Sequence, residues 1–283
     1  MPNAILRVRC PDRTGIIAAL SDFVFRHGGN IVDLDQHSEP ETGRFFMRLV
    51  WALDRFSLDA DGIRLAMQVF ARSLGIHWEL DFDDRRDRVA VLSSKEGHCL
   101  YDLLLRQRLG ELAGEVVVVM SNHPDMRPAA EYFGLPFEVV PITKDTRAEA
   151  EARQFELFER YHVSLVVLAR YMQILTPDFC ARWVGRVINI HHSFLPAFIG
   201  AKPYHQAHAR GVKLIGATAH YATADLDEGP IIEQDVVRVS HRDDVTDMVR
   251  KGRDLERQVL ARAVRLHLER RLLIEGNRTV VFG

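Results

Sequence analysis

The 283-residue chain has only three cysteines, Cys10, Cys99 and Cys180, far apart and odd in number. A disulfide framework is thereby excluded, and free thiols in a reducing compartment are expected. Charge of one sign is also missing: 37 Lys and Arg stand against 39 Asp and Glu, a formal net charge of −2. With no basic stripe or tail, nucleic acid is not an expected partner. No apolar run approaches the length of a bilayer span, so no membrane is expected either. The opening M-P-N-A-I-L-R-V-R-C lacks the charged head and apolar core of a secretory signal, and a cytoplasmic location is expected. Internal repeats and low-complexity tracts are absent as well. What remains is 47% hydrophobic and 27% charged, the composition of an ordinary globular protein long enough for two domains.

The first 83 residues carry one pattern. Residues 4–9 alternate weakly, and C-P-D-R-T-G follows as a turn. Ile16, Ala19, Leu20, Phe23 and Val24 then recur at helical spacing, until His27-Gly28-Gly29-Asn30 ends the helix. Strands are expected over 31–37 and 44–53, joined by P-E-T-G as a hairpin. Ile63, Met67, Phe70 and Leu74 mark a second helix, and residues 76–82 a last strand. The order β-α-β-β-α-β is that of a ferredoxin-like domain. The charged stretch E-L-D-F-D-D-R-R-D-R, residues 79–88, reads as a solvated linker, with the domain boundary between 83 and 84.

From residue 84 to 283 the period changes. R-V-A-V-L, E-V-V-V-V-M and S-L-V-V-L-A are short, nearly unbroken apolar runs, as parallel strands covered on both faces require. Helical segments over 98–109, 125–133 and 147–161 separate them. Further strands are expected over 187–190, 216–221 and 231–239, and a long helix over 244–270. The fold class is therefore α/β, a doubly wound, mostly parallel sheet, whose ligands bind beyond the carboxyl ends of the strands.

At one such end stands V-I-N-I-H-H-S-F-L-P. Residues i and i+2 of a strand share a face, so Asn189 and His191 point the same way while Ile188 and Ile190 fill the other side. A second polar group is the acidic loop of G-A-T-A-H-Y-A-T-A-D-L-D-E-G-P, with Asp225 and Asp227. Buried Asn and His also satisfy loop carbonyls, and Asp beside a turn is commonly a cap. Two such clusters at one sheet edge favour a functional reading.

N-I-H-H-S-F-L-P followed by G-A-T-A-H-Y and L-D-E-G-P resembles the folate-dependent formyltransferase family, whose fold is doubly wound and which works on 10-formyltetrahydrofolate. The resemblance implies catalytic Asn189, His191 and Asp227. L-A-R-Y-M-Q-I-L-T-P resembles that family's pterin loop and implies substrate binding by Met172, Gln173, Ile174 and Leu175, with Thr223, Ala224 and Asp225 opposite. C-P-D-R-T-G-I-I-A-A-L with H-G-G-N-I resembles an ACT domain. An ACT domain before a formyltransferase domain, with H-H after the asparagine, is similar to the formyltetrahydrofolate deformylases. K-E-G-H-C-L-Y-D-L-L and S-N-H-P-D-M-R add to that likeness, which spans the chain. It implies hydrolysis of 10-formyltetrahydrofolate to tetrahydrofolate and formate, supplying formate for purine synthesis. No cofactor is implied beyond the folate substrate. An effector, glycine or methionine, would bind Asp12, Arg13, Gly15 and Asn30 between protomers of a homo-oligomer; a purely structural ACT domain is the alternative.

In this chemistry Asn189 and His191 would donate hydrogen bonds to the oxygen of the tetrahedral intermediate, and Asp227 would orient the attacking water. His192, Phe198, Lys202 and Tyr204 would fill the room an amine acceptor needs. Cys99 beside His98 suggests a nucleophile, but helix neighbours do not face one another, and a structural thiol is expected. Three rivals stay open. A phosphoribosylglycinamide formyltransferase is opposed by the ACT domain and His192. A metal-dependent hydrolase would draw on His191, His192, His205, His208, His220 and Asp227, yet no H-E-x-x-H or Cys-pair signature occurs. A non-catalytic amino-acid sensor is opposed by the complete Asn189, His191 and Asp227 set.

Overall fold

The computed structural model describes residues 2–143, 145–197 and 203–283. They form two compact units. The first contains β1 (Asn3–Pro11), α1 (Ile16–Arg26), β2 (Asn30–Glu39), β3 (Arg44–Ala52), α2 (Ala60–Leu74) and β4 (His77–Phe82). Its antiparallel sheet has the order β2-β3-β1-β4. Val8, Met47 and Trp51 of the sheet close a core with Leu20, Phe23, Ile63 and Met67 of the two helices. Gly15 takes a φ of 91° at the start of α1, a left-handed turn that a side chain would strain. Asp59 caps α2 by accepting from Gly62 N at 2.8 Å, and Gly75 ends that helix with a φ of 56°.

Two expectations need correcting here. The charged stretch over 79–88 is not a free linker throughout: Leu80 and Phe82 lie in β4 and pack on the core, and Asp81 pairs with Arg7 at 2.8 Å. The chain end also divides differently, for Glu269–Leu273 and Val280–Gly283 belong to the first unit. Leu273 and Phe282 bury themselves with Phe46, and the Arg48 guanidinium donates to the Arg270 carbonyl at 3.1 Å. These apolar and carbonyl partners hold the tail against β3.

The second unit runs from Asp87 to Leu268, with Ile274–Thr279. It contains β5 (Arg88–Ser93), α3 (His98–Arg108), β6 (Glu115–Ser121), a 3₁₀ turn (Pro124–Met126), α4 (Arg127–Tyr132), β7 (Phe137–Val139) and α5 (Arg147–Arg160). Then come β8 (Leu165–Ala169), α6 (Pro177–Arg182), β9 (Val187–His191), α7 (Pro203–Arg210), β10 (Leu214–Tyr221), β11 (Ile231–Arg238) and α8 (Val245–Leu268). A hairpin of β12 (Leu272–Glu275) and β13 (Arg278–Val281) ends the chain. The sheet order is β11-β10-β9-β8-β5-β6-β7. Strands β5 to β9 are parallel, whereas β10 runs antiparallel to both β9 and β11. The parallel strands therefore end together at one rim, at Ser93, Ala169 and His191. Short elements such as β7, α6 and the terminal hairpin escaped the sequence reading, because three to six residues carry too little periodicity.

Candidate active site

Asn189 and His191 sit on one face at the end of β9, as the strand period demands. The antiparallel register brings in a third residue: His220 of β10 lies opposite Asn189, and Asn189 Nδ2 is 3.1 Å from His220 Nε2. Tyr221 O, which can only accept, lies 3.0 Å from His220 Nδ1. That nitrogen therefore carries a proton, while Nε2 lies between the Asn189 amide and the Asp227 carboxylate. The second N–H of Asn189 is left for the cavity.

Asp227 reaches the same place from the loop after β10. It adopts a left-handed φ of 58°, a region aspartate tolerates better than most residues. Two residues on, a Cβ on Gly229 would lie 1.8 Å from the Tyr221 carbonyl oxygen, so only glycine lets the loop return so closely. Asp227 Oδ2 lies 3.2 Å from His191 Nδ1, and Oδ1 lies 3.6 Å from His220 Nε2. Burial pushes the Asp227 carboxyl up, but the His191 and His220 imidazoles outweigh it and hold the group well below the ordinary carboxylate range. The opposite ring atom, His191 Nε2, is buried and has no hydrogen-bond partner among the described residues. The side chains of His191 and Asp227 are 7% and 10% exposed.

These residues line a cavity of about 380 Å³, together with Met172, Gln173, Ile174, Leu175, Thr223, Ala224 and His192. The 171–176 loop on one wall is pinned from three sides. Met172 N donates to Ser94 Oγ at 3.1 Å, Thr176 N donates to Glu151 Oε1 at 2.8 Å, and Gln154 Nε2 donates to the buried Tyr171 hydroxyl at 2.8 Å. Met172 and Ile174 remain 58% and 52% exposed, apolar surface suited to a flat ring. Of the expected binding residues, Asp225 does not line this cavity. It is exposed, and its carbonyl accepts from Thr223 Oγ1 and Glu228 N, which makes it a turn residue. The expected acceptor-excluding residues divide: His192 lines the cavity, Tyr204 is buried nearby in α7, and Phe198 and Lys202 lie outside the described residues.

The sequence reading missed Arg170, Glu256 and the part played by His98. Glu256 on α8, 1% exposed, accepts from His98 Nε2 at 2.9 Å and from the Tyr204 hydroxyl at 2.7 Å, with Arg170 Nε at 3.4 Å. Burial raises the Glu256 carboxyl, and these neighbours bring it below its ordinary value. Burial, with Arg170 nearby, lowers the His192 imidazole to about 4, so that ring is neutral. His98 and Cys99 are not kept apart as helix geometry suggested: a ring nitrogen, Sγ and a Glu256 oxygen lie within 4.8 Å of one another, because Glu256 approaches the first turn of α3. Burial first, then Glu256, raises the Cys99 thiol well above its ordinary value. The protonated thiol and the Arg170 guanidinium beside Glu256 make this a poor cation site. His205 and His208 lie exposed on α7, away from the Asp227 group of histidines.

In the first unit, Asp12, Arg13, Gly15 and Asn30 are all exposed. Asp12 N donates to the Gly43 carbonyl at 2.7 Å, and Arg13 donates to the Leu74 carbonyl.

The formyl transferase family profile matches residues 87–264, and the ACT domain profile matches residues 4–50. A formyltetrahydrofolate deformylase of Synechocystis sp. is 54% identical over 281 residues, 99% of each chain. The crystal structure of a formyltetrahydrofolate deformylase from Pseudomonas syringae matches with a TM-score of 0.97 at 48% identity, covering 100% of this chain and 95% of that one. A glycinamide ribonucleotide transformylase of Symbiobacterium toebii is more distant, with a TM-score of 0.66 and 35% identity over 70% of this chain and 95% of its own.

Proposed function

The chain belongs to the formyltetrahydrofolate deformylase family, and from that premise we propose that it hydrolyses 10-formyltetrahydrofolate to tetrahydrofolate and formate at Asn189, His191 and Asp227. The observation that carries this reading is the meeting of an amide N–H, an unpartnered imidazole nitrogen and a carboxylate at one wall of the 380 Å³ cavity. The formyl carbonyl points its oxygen at Asn189 Nδ2 and at His191 Nε2, which both donate as negative charge develops there. Asp227, held ionised, braces the far side of the His191 ring and orients water toward the formyl carbon. As the water oxygen bonds to carbon, its proton passes to Asp227. A carboxyl held so low keeps that proton only briefly and returns it to N10 as the C–N bond breaks. The products are the secondary amine of tetrahydrofolate and formic acid, which ionises to formate by giving its proton to solvent.

The pterin lies against the 172–175 loop, with Thr223 and Ala224 on its other side. No cofactor takes part in this scheme. His192 and Tyr204 leave room for water and not for an amine. The ACT domain binds an amino-acid effector, glycine or methionine, at Asp12, Arg13, Gly15 and Asn30 in a homo-oligomer, and the formate produced feeds purine synthesis. The test is formate release from 10-formyltetrahydrofolate with no amine acceptor present. Release by the wild-type protein and its loss in Asp227→Asn support the scheme; formylation of an added amine with no formate release overturns it.

A further inference from the structure

A second chamber, of about 180 Å³, shares Arg170 and His192 with the catalytic cavity, so those two side chains form the partition. Its other walls include His98, Tyr204 and Glu256. The partition has hydrogen-bond donors left over. Arg170 is only 14% exposed, yet its Nε and Nη1 make no hydrogen bond among the described residues. Each Glu256 oxygen already accepts a hydrogen bond, one from His98 and one from Tyr204, and Arg170 Nε stands 3.4 Å from Oε2 as an ion pair rather than a close hydrogen bond. A guanidinium does not lose its proton in proteins, and buried donors of this kind are ordinarily paired. Arg170 also holds a left-handed φ of 62° directly after β8, a strained conformation that persists where its surroundings enforce it. The chamber thus keeps a fixed cation beside the site where hydrolysis creates an anion, while the ionised Asp227 lines the catalytic cavity itself.

We propose that this chamber is a carboxylate subsite that receives formate from the catalytic cavity, with Arg170 as its principal ligand. The proposal rests on the deformylase reading for the source of the anion. Formate has three heavy atoms and fits the chamber without displacing any wall. Asp227 repels it, and Arg170, at the boundary of the two spaces, attracts it. Glu256, close behind the guanidinium, keeps affinity in the range of a product that must leave.

The experiment is a titration of the full-length protein with ¹³C-formate, read by line broadening of the formate resonance. Wild-type protein broadens the line saturably. Arg170→Gln weakens binding by about tenfold or more, as expected for loss of a charge-assisted hydrogen bond. Arg170→Lys is intermediate, and Asn189→Ala leaves binding unchanged. Magnetisation transfer from the formate proton to the rings of His192 and Tyr204 is expected in the wild-type protein, and needs no variant that could fail to fold. Wild-type-like binding in Arg170→Gln, loss of binding in Asn189→Ala, or transfer to neither ring overturns the subsite. Hydrolysis is followed in parallel. Formate release without Arg170-dependent binding sinks the subsite alone, whereas Arg170-dependent binding without release sinks the deformylase reading.

Discussion

The Asp227 cluster and the Glu256 cluster are both buried, both built on a carboxylate with histidine beside it, and both contained in the second unit, yet they are wired in opposite ways. Asp227 braces His191 through Nδ1 and leaves the other ring nitrogen buried without a hydrogen-bond partner among the described residues. Glu256 has both oxygens taken, by His98 and Tyr204, and sits against α3, α7 and Arg170. Electrostatics alone does not separate them, since each carboxyl is held below its ordinary value against the pull of burial. What separates them is the carboxylate's setting: Asp227 lines space that a folate can enter, and Glu256 is spent on its neighbours.

The largest effect that would break this contrast is on catalysis. Asp227→Asn removes the charge that braces His191 and orients water, and formate release should fall by about 10³-fold or more. A comparable fall in Glu256→Gln with no loss of folded protein would show that the two clusters share the chemistry. Asn189→Ala, which removes one oxyanion donor, should cost about 10²–10³ in kcat, measured under the same assay.

A pH series of unfolding curves sharpens the contrast next. His192 is lowered from 6.5 to about 4 in the folded state, so the unfolded chain takes up a proton first as pH falls. Stability from this group is complete above pH 6.5 and is lost between 6.5 and 4, by about 3 kcal/mol. His192→Gln should flatten the curve across that window. Asp227, depressed from 3.8, contributes stability that is lost only below the ordinary carboxylate range, so the two are resolved by where the curve bends.

Smaller effects follow from packing. A Cβ on Gly252 would lie 1.9 Å from the Tyr204 hydroxyl, so Gly252→Ala forces that ring off Glu256. Thermal unfolding should show a loss of about 1–3 kcal/mol. Met172→Ala, on the open wall of the folate cavity, should raise KM by about fivefold with little change in kcat, as loss of apolar contact made equally in ground and transition states would.

Much of this molecule was legible before any coordinates. The helix faces of α1 and α2, and the apolar runs of β5, β6 and β8, followed from spacing. The pairing of Asn189 with His191 on one face followed from the strand period, and the N-I-H-H and L-D-E-G-P stretches carried a family likeness. The place of His220 was not legible, because it depends on which residue of β10 falls opposite Asn189. Arg170 and Glu256 were also hidden: each looks like a charged residue within an ordinary element, and nothing local says that α8 will bring Glu256 to His98. Asp225 and Asp227 looked equivalent in the loop, and only the path of the backbone turned one inward and left the other as a turn residue.

Taken by itself, the sequence determined what depends on near neighbours: where strands and helices form, which side chains share a face, and that the chain has two domains of different period. Tertiary structure decided what depends on residues far apart, namely the Asp227–His191–His220 contacts, the closed Glu256 cluster and the return of the chain end to the first unit. Periodicity is a property of backbone geometry and is written in every short window, whereas a contact between distant side chains exists only after packing and register have chosen one arrangement among many.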